Sequence, residues 1–490
     1  MSNAEASRLQ DVPLRHPDQL FIDGKWVSPC GETALNVVSP STEHVYVRVA
    51  EAGEKDMARA ISAARKAFDH GPWPKMTHAA RAGYLRLIAA ELRKRVADTS
   101  QMWSSEMGIV HSFAHGTTQM IPGIFDYYAG LADTFPFNEQ HVPSAGGEVG
   151  WLVREPVGVV GAIIPWNVPI ALIAYKIAPA LLAGCTIILK SSPEAPTAGY
   201  VMGEIAESVG LPPGVLNIVT ADRPVSELLV RHADVDKITF TGSTAAGRRI
   251  ASLCGERIAR CTLELGGKSA AVILDDYDLG KAAESISGSA RLLSGQVCSS
   301  LTRIIVSRHR HDALVDALSS SMSKIRVGDP FDAQTEMGPL AMSRQRDRVE
   351  GLIAKGQQEG AELATGGRRP SHLDRGFYIE PTVFGNVRND STIAREEIFG
   401  PVLSVIPAAD EQEAVDLAND SIYGLNASVF TNDDDRAYAV ARQLRSGTVG
   451  KNSWRTDFGI AFGGFKQSGI GREGGHEGLH PFLEVKTIIL

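Results

Sequence analysis

One cysteine stands in surroundings that suit a reactive thiol. Cys298 lies in the run SGQVCSS at 294–300, just after a predicted helix that ends near Leu293. Its small and polar neighbours leave the sulfur accessible, and nearby backbone N–H groups would stabilise a thiolate. A buried structural cysteine is the alternative, because free thiols are often buried and inert. The residues around Cys298 alone leave both interpretations open, and the structural cysteine is the commoner of the two.

A carboxylate in an apolar strand is a candidate general base. Glu264 lies between two leucines in the run LELGGK at 263–268. Desolvation there would raise its pKa toward neutrality, where a carboxylate can take up a proton during turnover. The two glycines that follow let the backbone approach a ligand closely. An ion pair with a structural Lys or Arg is the other interpretation.

Three further sites follow predicted strands. Asn167, in PWNVP at 165–169, has a backbone restrained by prolines. Its amide could donate to an oxyanion, or it could only satisfy a local turn. Lys190 ends the next strand and could contact a ribose or phosphate, although lysines at strand ends are usually only solvated. The run FTGSTAAGR at 240–248 is typical of a strand, a glycine turn and a helix start, whose free N–H groups suit a pyrophosphate. It is not the Gly-x-Gly-x-x-Gly fingerprint.

An open parallel sheet would bring these residues together. Short apolar segments alternate with helical patterns from about 157 to 265. Such sheets bind ligands beyond the carboxyl ends of their strands. The predicted strands are 157–164, 186–189, 215–219, 237–241 and 262–265, and the predicted helices are 170–182, 198–209, 225–230 and 244–253.

A second α/β series follows the first. Its predicted strands are 271–274, 302–306, 378–384, 402–407 and 427–430, and its helices are 279–293 and 312–325. Upstream, 58–68 and 79–99 are predicted as amphipathic helices. The segments 148–154 and 484–490 are strand-like, fit neither series, and could pair with each other or with another subunit.

The composition excludes several classes of protein. With 490 residues, 43% of them hydrophobic and 22% charged, the chain is long enough for about three domains, or two with an appended element. A net charge of −8 argues against nucleic-acid or anionic lipid partners. Five cysteines without a Cys-x-x-Cys pair argue against a disulfide framework and a zinc knuckle, and no metal is expected.

Two features bear on membranes and targeting. The uncharged stretch from 157 to 175 has the hydropathy of a membrane span, but Pro165, Asn167 and Pro169 interrupt it, so we expect a soluble protein. The first twenty residues include Arg8 and Asp11 and no continuous apolar stretch. No secretory signal is visible there, and the expected location is cytoplasmic.

The motifs occur in one order along the chain. They are PWN at 165–167, Lys190, FTGS at 240–243, ELGGK at 264–268, GQVC at 295–298, EEIFGPV at 396–402 and FGGFKQSG at 462–469. Together they closely resemble the aldehyde dehydrogenase superfamily. The likeness runs from FIDGKW at 21–26 to EVKT at 484–487. Seven motifs in order are specific, although each alone is modest evidence.

The resemblance implies an α/β fold. It would have a Rossmann-like cofactor domain at 1–134 and 155–263 and an α/β catalytic domain at 264–476. A small β oligomerisation arm would comprise 135–154 and 477–490. Such an arm implies a homodimer or a homotetramer.

The resemblance also implies roles for individual residues. Cys298 would be the nucleophile, Glu264 the general base and Asn167 the oxyanion donor, while Lys176 and Glu473 match a secondary proton path. Glu397 would hold the nicotinamide ribose, with Phe399 packed beside it. The positions implied to contact the dinucleotide are Ile163, Ile164, Pro165, Trp166, Lys190, Ser192, Gly242, Ser243, Leu265, Gly266, Glu397 and Phe399.

The implied reaction is the oxidation of an aldehyde to a carboxylic acid. The Cys298 thiolate would attack the aldehyde, hydride would leave to the nicotinamide, and water activated by Glu264 would hydrolyse the thioester. Because Glu264 is present, water is favoured over coenzyme A as the acyl acceptor.

The implied substrate pocket is mostly apolar. Small residues in it suggest room for a medium aliphatic, terpenoid or aromatic aldehyde. Arg455 could instead bind the carboxylate of a semialdehyde, or simply pair with Asp457 or solvent. The pocket positions are Met120, Val168, Ala171, Tyr175, Leu292, Val297, Ser299, Arg455 and Phe462, with the loop 454–458.

The sequence departs from the family pattern where the adenine-side ribose would bind. The family often has a glutamate after Lys-Pro-Ser, but here Pro193 takes that slot and Glu194 is displaced by one. Loss of that carboxylate would remove repulsion of a 2′-phosphate, and Arg223 could offer a positive charge. NAD is the expected cofactor, with NADP as the alternative. The rival functions are a cysteine-dependent ester hydrolase and a catalytically silent structural protein on the same fold.

Overall fold

The structure, a computed structural model, describes residues 12–490. Arg8, Asp11 and the start of the implied cofactor domain lie outside the described residues. The strands in the described part are β1 (Leu20–Ile22), β2 (Lys25–Val27), β3 (Ala34–Val38), β4 (Val45–Ala50), β5 (Asn138–His141), β6 (Gly150–Pro156), β7 (Val159–Ile163), β8 (Thr186–Ser191), β9 (Leu216–Thr220), β10 (Lys237–Thr241), β11 (Arg260–Glu264), β12 (Ser269–Ile273), β13 (Leu301–Ser307), β14 (Glu362–Thr365), β15 (Thr382–Gly385), β16 (Val402–Ala408), β17 (Asn426–Phe430), β18 (Thr448–Lys451), β19 (Gly469–Ile470) and β20 (Leu483–Ile489). The helices are α1 (Glu54–His70), α2 (His78–Lys94), α3 (Val96–Met107), α4 (His111–Thr134), α5 (Pro169–Ala183), α6 (Thr197–Ser208), α7 (Arg223–Arg231), α8 (Thr244–Glu256), α9 (Leu279–Ala290), α10 (His311–Met322), α11 (Ser343–Gln358), α12 (Thr392–Arg395), α13 (Glu411–Asn419) and α14 (Asp434–Ala441).

The first sheet carries the predicted parallel strands. Its order is β19-β11-β10-β7-β8-β9-β1-β2, and the strands from β11 to β9 are parallel. Every residue of β7, β8, β9 and β10 is buried, as expected for a sheet covered by helices on both faces. Because these strands are parallel, their carboxyl ends lie along one edge, where the motifs follow them.

The second sheet is the second α/β series. Its order is β14-β15-β16-β13-β12-β17-β18, parallel except for the pair β14–β15. Its buried core includes Val272, Ile305, Phe384 and Val429. The predicted α/β class is confirmed.

A small third sheet joins the two segments that fit neither series. Its order is β20-β6-β5, and β20 runs antiparallel to β6 over seven residue pairs, from Leu483 opposite Pro156 to Ile489 opposite Gly150. The segments predicted at 148–154 and 484–490 therefore pair with each other.

Five predictions of elements were incomplete or wrong. The helix predicted at 79–99 is interrupted at Arg95, whose guanidinium binds Asp98 and Glu204. The helix predicted to 293 ends at Ala290, and the strand predicted from 378 begins only at Thr382. The 24-residue helix α4 was not predicted, because Pro122 and several glycines obscure its periodicity. The two-residue strand β19, from the implied catalytic segment, joins the first sheet.

No helix in the described part of the chain is long and apolar enough to cross a membrane. The uncharged stretch from 157 is divided between strand β7 and helix α5.

Candidate active site

The loop that leads to Cys298 has an unusual backbone. Leu293, Ser294 and Gly295 are consecutively left-handed, with φ of 49°, 56° and 75°. A β-carbon on Gly295 would overlap the backbone of Gly400, so this close approach requires glycine. The Ser294 hydroxyl donates to the Gly338 carbonyl at 2.8 Å. The left-handed run therefore ends α9 early and presses this loop against the segment that contains Glu397 and Phe399.

Asn167 is held against the same loop. Its Nδ2 donates to the Gln296 carbonyl at 3.0 Å, and Trp103 Nε1 donates to the Asn167 carbonyl at 3.0 Å. A carboxamide has two N–H donors, so one remains for a ligand. The side chain is bonded across 129 residues rather than to its own turn. The alternative interpretation of a local turn asparagine is therefore wrong.

Cys298 is half-buried. Burial, followed by the nearby carboxylates of Glu397 and Glu264, raises the pKa of its thiol to about 12. A β-carbon on Gly267 would overlap the Cys298 carbonyl. The backbone just beyond Glu264 therefore packs directly on the loop at 293–298, which we call the nucleophile loop. The structure thus brings the segments of Cys298, Glu264 and Asn167 together.

Glu264 ends strand β11 and is only 3% exposed. Neither carboxylate oxygen has a hydrogen-bond partner in the described part of the chain. Burial, with a further contribution from Glu473, raises its pKa well above the usual value, as desolvation predicted. A β-carbon on Gly463 would lie 2.7 Å from Glu264 Oε1, so the carboxylate faces that glycine. The alternative of a structural ion pair is wrong.

Lys176 and Glu473 form a buried ion pair beside Glu264. Thr239 Oγ1 lies 3.4 Å from both Lys176 Nζ and Glu473 Oε1. Glu473 Oε2 has no partner among the described residues. These side chains could carry a proton away from Glu264.

The residues implied to meet the nicotinamide pack on the glycines that follow Glu264. Glu397 Oε1 accepts from Gly267 N at 3.1 Å, and burial raises the pKa of Glu397 to about 7. A β-carbon on Gly266 would overlap the Glu397 carboxylate. The rings of Trp166 and Phe399 meet edge to face with centroids 5.3 Å apart.

Glycine and a helix start shape the groove along the first sheet. A β-carbon on Gly242 would overlap the Phe240 ring, so Gly242 provides a close turn. Ser243 caps helix α8, its hydroxyl accepting from Ala246 N at 3.3 Å. Lys190, at the end of β8, is 8% exposed and not simply solvated, contrary to the alternative for it. These groups fit a dinucleotide, because a helix start and a close glycine turn bind a pyrophosphate.

The remaining implied cofactor positions line the same edge. Ile163, Ile164 and Pro165 follow one another at the end of β7, Ser192 lies just after β8, and Leu265 packs against Gly247 of α8.

An aromatic stack forms one wall of the implied substrate pocket. Tyr175 stacks on Phe458 with centroids 4.3 Å apart, and Phe458 stacks on Phe462 at 4.2 Å. Trp454 Nε1 donates to the Ser299 carbonyl at 3.1 Å. Val168, Leu292 and Val297 pack around one small apolar cluster with Trp166.

Three implied pocket positions are less enclosed. Met120 is 68% exposed, Ala171 is half-buried and Arg455 is exposed. The Asp457 carboxylate accepts from Gly459 N at 2.7 Å rather than closing on Arg455. Arg455 is therefore exposed to solvent and makes no ion pair with Asp457.

Sequence reasoning missed residues that support the site from a distance. Gln296 Oε1 accepts from Ala341 N at 3.0 Å and Gln296 Nε2 donates to the Leu293 carbonyl at 2.9 Å, which braces the loop before Cys298. Helix α11 also went unpredicted, although Gln345 Nε2 donates to the Phe399 carbonyl at 2.7 Å and Arg348 donates to the Glu397 carbonyl at 2.8 Å. Only the position of Gln296 inside a motif could have indicated its role.

Comparison with known proteins connects this geometry to a reaction. The profile of the Aldehyde dehydrogenase family matches residues 26–488. A geranial dehydrogenase from Castellaniella defragrans is 43% identical over 472 residues, covering 96% of this chain and 98% of that protein.

Two solved structures share the fold. An aldehyde dehydrogenase of Mycobacterium tuberculosis complexed with NAD+ has a TM-score of 0.94 and 44% identity, covering 96% of this chain and 98% of that chain. A mutant of aldehyde dehydrogenase C from Pseudomonas syringae, complexed with NAD+ and octanal, has a TM-score of 0.93 and 38% identity, covering 97% of each chain. The rival functions, an ester hydrolase and a silent protein, are not favoured by these likenesses.

Proposed function

The chain belongs to the aldehyde dehydrogenase family and oxidises an aldehyde to a carboxylic acid with NAD+, and from that premise we propose that Cys298, Glu264 and Asn167 are its catalytic residues. The observation that carries this assignment is the hydrogen bond from Asn167 to the Gln296 carbonyl, two residues before Cys298. It holds a carboxamide with a second N–H donor against the loop that carries the half-buried thiol of Cys298, which supports the assignment.

The first half of the reaction uses the thiol and the carboxamide. The Cys298 thiolate forms a carbon–sulfur bond with the aldehyde carbon as the carbonyl π bond breaks, and the resulting oxyanion accepts hydrogen bonds from Asn167 Nδ2 and from the Cys298 N–H. The oxyanion then re-forms its carbonyl and a hydride leaves the carbon. Bound NAD+ supplies the chemistry of a hydride acceptor. A thioester remains on Cys298.

The second half uses the buried carboxylate. Glu264 takes a proton from water as the water oxygen bonds to the thioester carbon, and the carbon–sulfur bond breaks. The carboxylic acid leaves and the sulfur of Cys298 is restored. We assign Lys176 and Glu473 the task of passing the proton onward from Glu264, since they form a buried ion pair and both charges act on the pKa of Glu264.

The groove along the first sheet would hold the dinucleotide. Gly242 and Ser243 would receive the pyrophosphate at the start of α8, and Lys190 a ribose. Glu397, Phe399 and Trp166 would orient the nicotinamide next to Cys298, together with the other positions at the ends of β7, β8 and β11.

We assign an apolar aldehyde as substrate. The stack of Tyr175, Phe458 and Phe462 offers a flat apolar wall, and Val168 and Ala171 leave room beside it. A medium aliphatic, terpenoid or aromatic aldehyde fits such a wall. The family likenesses to a geranial dehydrogenase and to an octanal complex agree with that class.

We propose the domain division implied by the sequence and a homodimer or homotetramer built through the arm. The segments 135–154 and 477–490 form one three-stranded sheet, in which β20 pairs on one side only with β6 in the described part of the chain. Val485, Ile489 and Leu490 are 60%, 56% and 71% exposed. A free strand edge with apolar side chains suits pairing with a second copy.

The assignment is tested with NAD+, NADP+ and a panel of aldehydes, by following the absorbance of reduced nicotinamide. Cys298→Ala should abolish reduction, whereas Cys30→Ala, which removes an exposed thiol, should retain it. Asn167→Ala should lower kcat about 10²- to 10³-fold, as loss of an oxyanion donor does. Reduction that survives Cys298→Ala would refute the assignment.

A further inference from the structure

An ion pair joins the loop after β8 to helix α11. Glu194, on the loop after β8, receives a hydrogen bond from the Ser192 hydroxyl and pairs with Arg344 Nη2. Arg344 is the second residue of α11, 150 residues away in the chain. The pair therefore connects a loop of the first sheet with a helix that packs beside the second sheet.

The position of this pair along the sheet is informative. Glu264 ends β11 and Asn167 follows β7, so the reacting carbon belongs at the β11–β7 side. Lys190 and Glu194 follow β8, one strand beyond β7. If the nicotinamide lies at Cys298, the adenosine half of an extended dinucleotide lies toward β8 and β9, where the pair stands.

Several charges converge at that end. Burial lowers the pKa of Lys190 to about 8, while Glu194 and Asp222 act against that shift and Arg223 adds to it. Burial favours protonation of Glu194, but the hydrogen bonds from Ser192 and Arg344 outweigh burial and lower its pKa. An ionised carboxylate paired with a guanidinium thus lies near Lys190 at the end of β8.

We propose that Arg344 and Glu194 together read the 2′ position of the adenosine ribose. Glu194 accepts a hydrogen bond from the 2′-hydroxyl of NAD+ and takes over the acceptor role that Pro193 cannot supply. Arg344 holds Glu194 in position and neutralises part of its charge, so that it is a specificity residue reached from the opposite wall of the groove. The inference rests on the proposed placement of NAD+ in this groove.

The two residues act on coenzyme preference in opposite directions. Glu194→Gln removes a charge-assisted hydrogen bond and the repulsion of a 2′-phosphate, so NAD+ should bind about tenfold or more weakly and NADP+ no worse. Arg344→Ala leaves Glu194 without its cation, so NADP+ should bind about tenfold more weakly, with a smaller loss for NAD+. The dissociation constant for NADP+ divided by that for NAD+ should therefore fall in Glu194→Gln and rise in Arg344→Ala.

The test is equilibrium binding of NAD+ and of NADP+ to the full chain without aldehyde, by calorimetry or by quenching of tryptophan fluorescence. Arg344→Lys, which keeps the charge, should restore the ratio most of the way. Lys355→Ala removes another exposed cation from α11 and should leave the ratio unchanged. Thermal melting of each variant establishes that the fold is retained.

The outcomes separate this inference from the proposed function. Ratios that move in opposite directions in Glu194→Gln and Arg344→Ala support the shared reading of the 2′ position. Ratios that stay constant, or move the same way, while NAD+ still binds overturn the inference and leave the proposed function intact. Failure of the unsubstituted chain to bind either coenzyme overturns both.

Discussion

Burial raises the pKa of both Cys298 and Glu264. Burial and neighbouring carboxylates raise the pKa of Cys298 to about 12, and burial with Glu473 raises that of Glu264. Near neutral pH the thiol is therefore mostly protonated in the protein alone. A cation brought close to the sulfur lowers its pKa, and the oxidised nicotinamide ring carries a positive charge. We therefore expect coenzyme binding to activate the nucleophile, and a buried base to act once the thioester has formed.

Glu264→Gln should separate the two halves of the reaction. Hydride transfer needs no carboxylate at 264, so a first turnover of reduced nicotinamide should appear at close to its normal rate. Hydrolysis of the thioester should slow by about 10²- to 10⁴-fold, the range of general-base contributions. Rapid-mixing absorbance measurements would show a burst followed by a slow phase, and undiminished steady-state turnover would remove Glu264 from its role.

The same carboxylate predicts a pH dependence. Glu264 can take a proton only when it is ionised, and its pKa lies above the usual value. Steady-state turnover should therefore fall as the pH is lowered through that raised pKa and recover as the pH rises. In Glu264→Gln the corresponding limb of the profile should be absent. Measuring kcat against pH for both proteins checks the sign, and an identical limb in the variant would contradict it.

At the scale of elements, the end of α9 decides where the nucleophile lies. Three left-handed residues stop the helix at Ala290 and bend the chain so that Gly295 meets Gly400. The same contact brings the Glu397 segment to Cys298, because Gly400 follows Glu397 closely. Helix α11 holds that segment from outside through Gln345 and Arg348. The nucleophile loop and the nicotinamide segment are therefore positioned as one unit.

Gly295→Ala should disrupt that unit. A side chain at φ 75° costs about 1–2 kcal/mol, and its β-carbon would also overlap the backbone at Gly400. We expect kcat/KM to fall at least a hundredfold, with a lower Tm. Gly351→Ala, within α11 and with open space around its Cα, should instead stabilise by about 0.5–1 kcal/mol and keep activity. Activity assays and melting curves of the two variants test this, and wild-type activity in Gly295→Ala would contradict it.

At the scale of the whole molecule, the third sheet is too small to stand alone. It has three strands, and β20 presents Val485 and Ile489 to solvent on one side of the strand. An exposed apolar edge of this kind is normally covered. The edge strand β18 of the second sheet is four residues long and pairs only with β17 in the described part of the chain. A second copy could extend either edge.

Val485→Glu combined with Ile489→Glu should weaken self-association at least about a hundredfold, since each buried apolar side chain contributes about 1.5–3 kcal/mol. Light scattering coupled to size-exclusion chromatography at several protein concentrations would show smaller particles. Val485→Ile combined with Ile489→Val keeps the apolar surface and should behave as the unsubstituted chain. A chain that is monomeric without substitution would contradict the proposed arm.

Much of the architecture was accessible from local patterns. Short runs rich in apolar and β-branched residues predicted β8, β9 and β10 closely, because strands buried on both faces favour such residues. The helix α4 escaped, since Pro122 and its glycines disguise a periodicity that packing against α2 and α5 sustains. The break at Arg95 also depends on a distant partner, Glu204.

The sequence by itself determined the order of the chemical groups and their placement at strand ends, because hydrophobic runs, glycines and prolines act within a few residues of the chain. Only the tertiary structure decided which groups face one another. That Glu264 has no hydrogen-bond partner among residues 12–490, that Asn167 reaches the Gln296 carbonyl and that Arg344 holds Glu194 all follow from how the two sheets and their helices pack together. Those contacts join segments more than a hundred residues apart, and no local pattern encodes the distance between them.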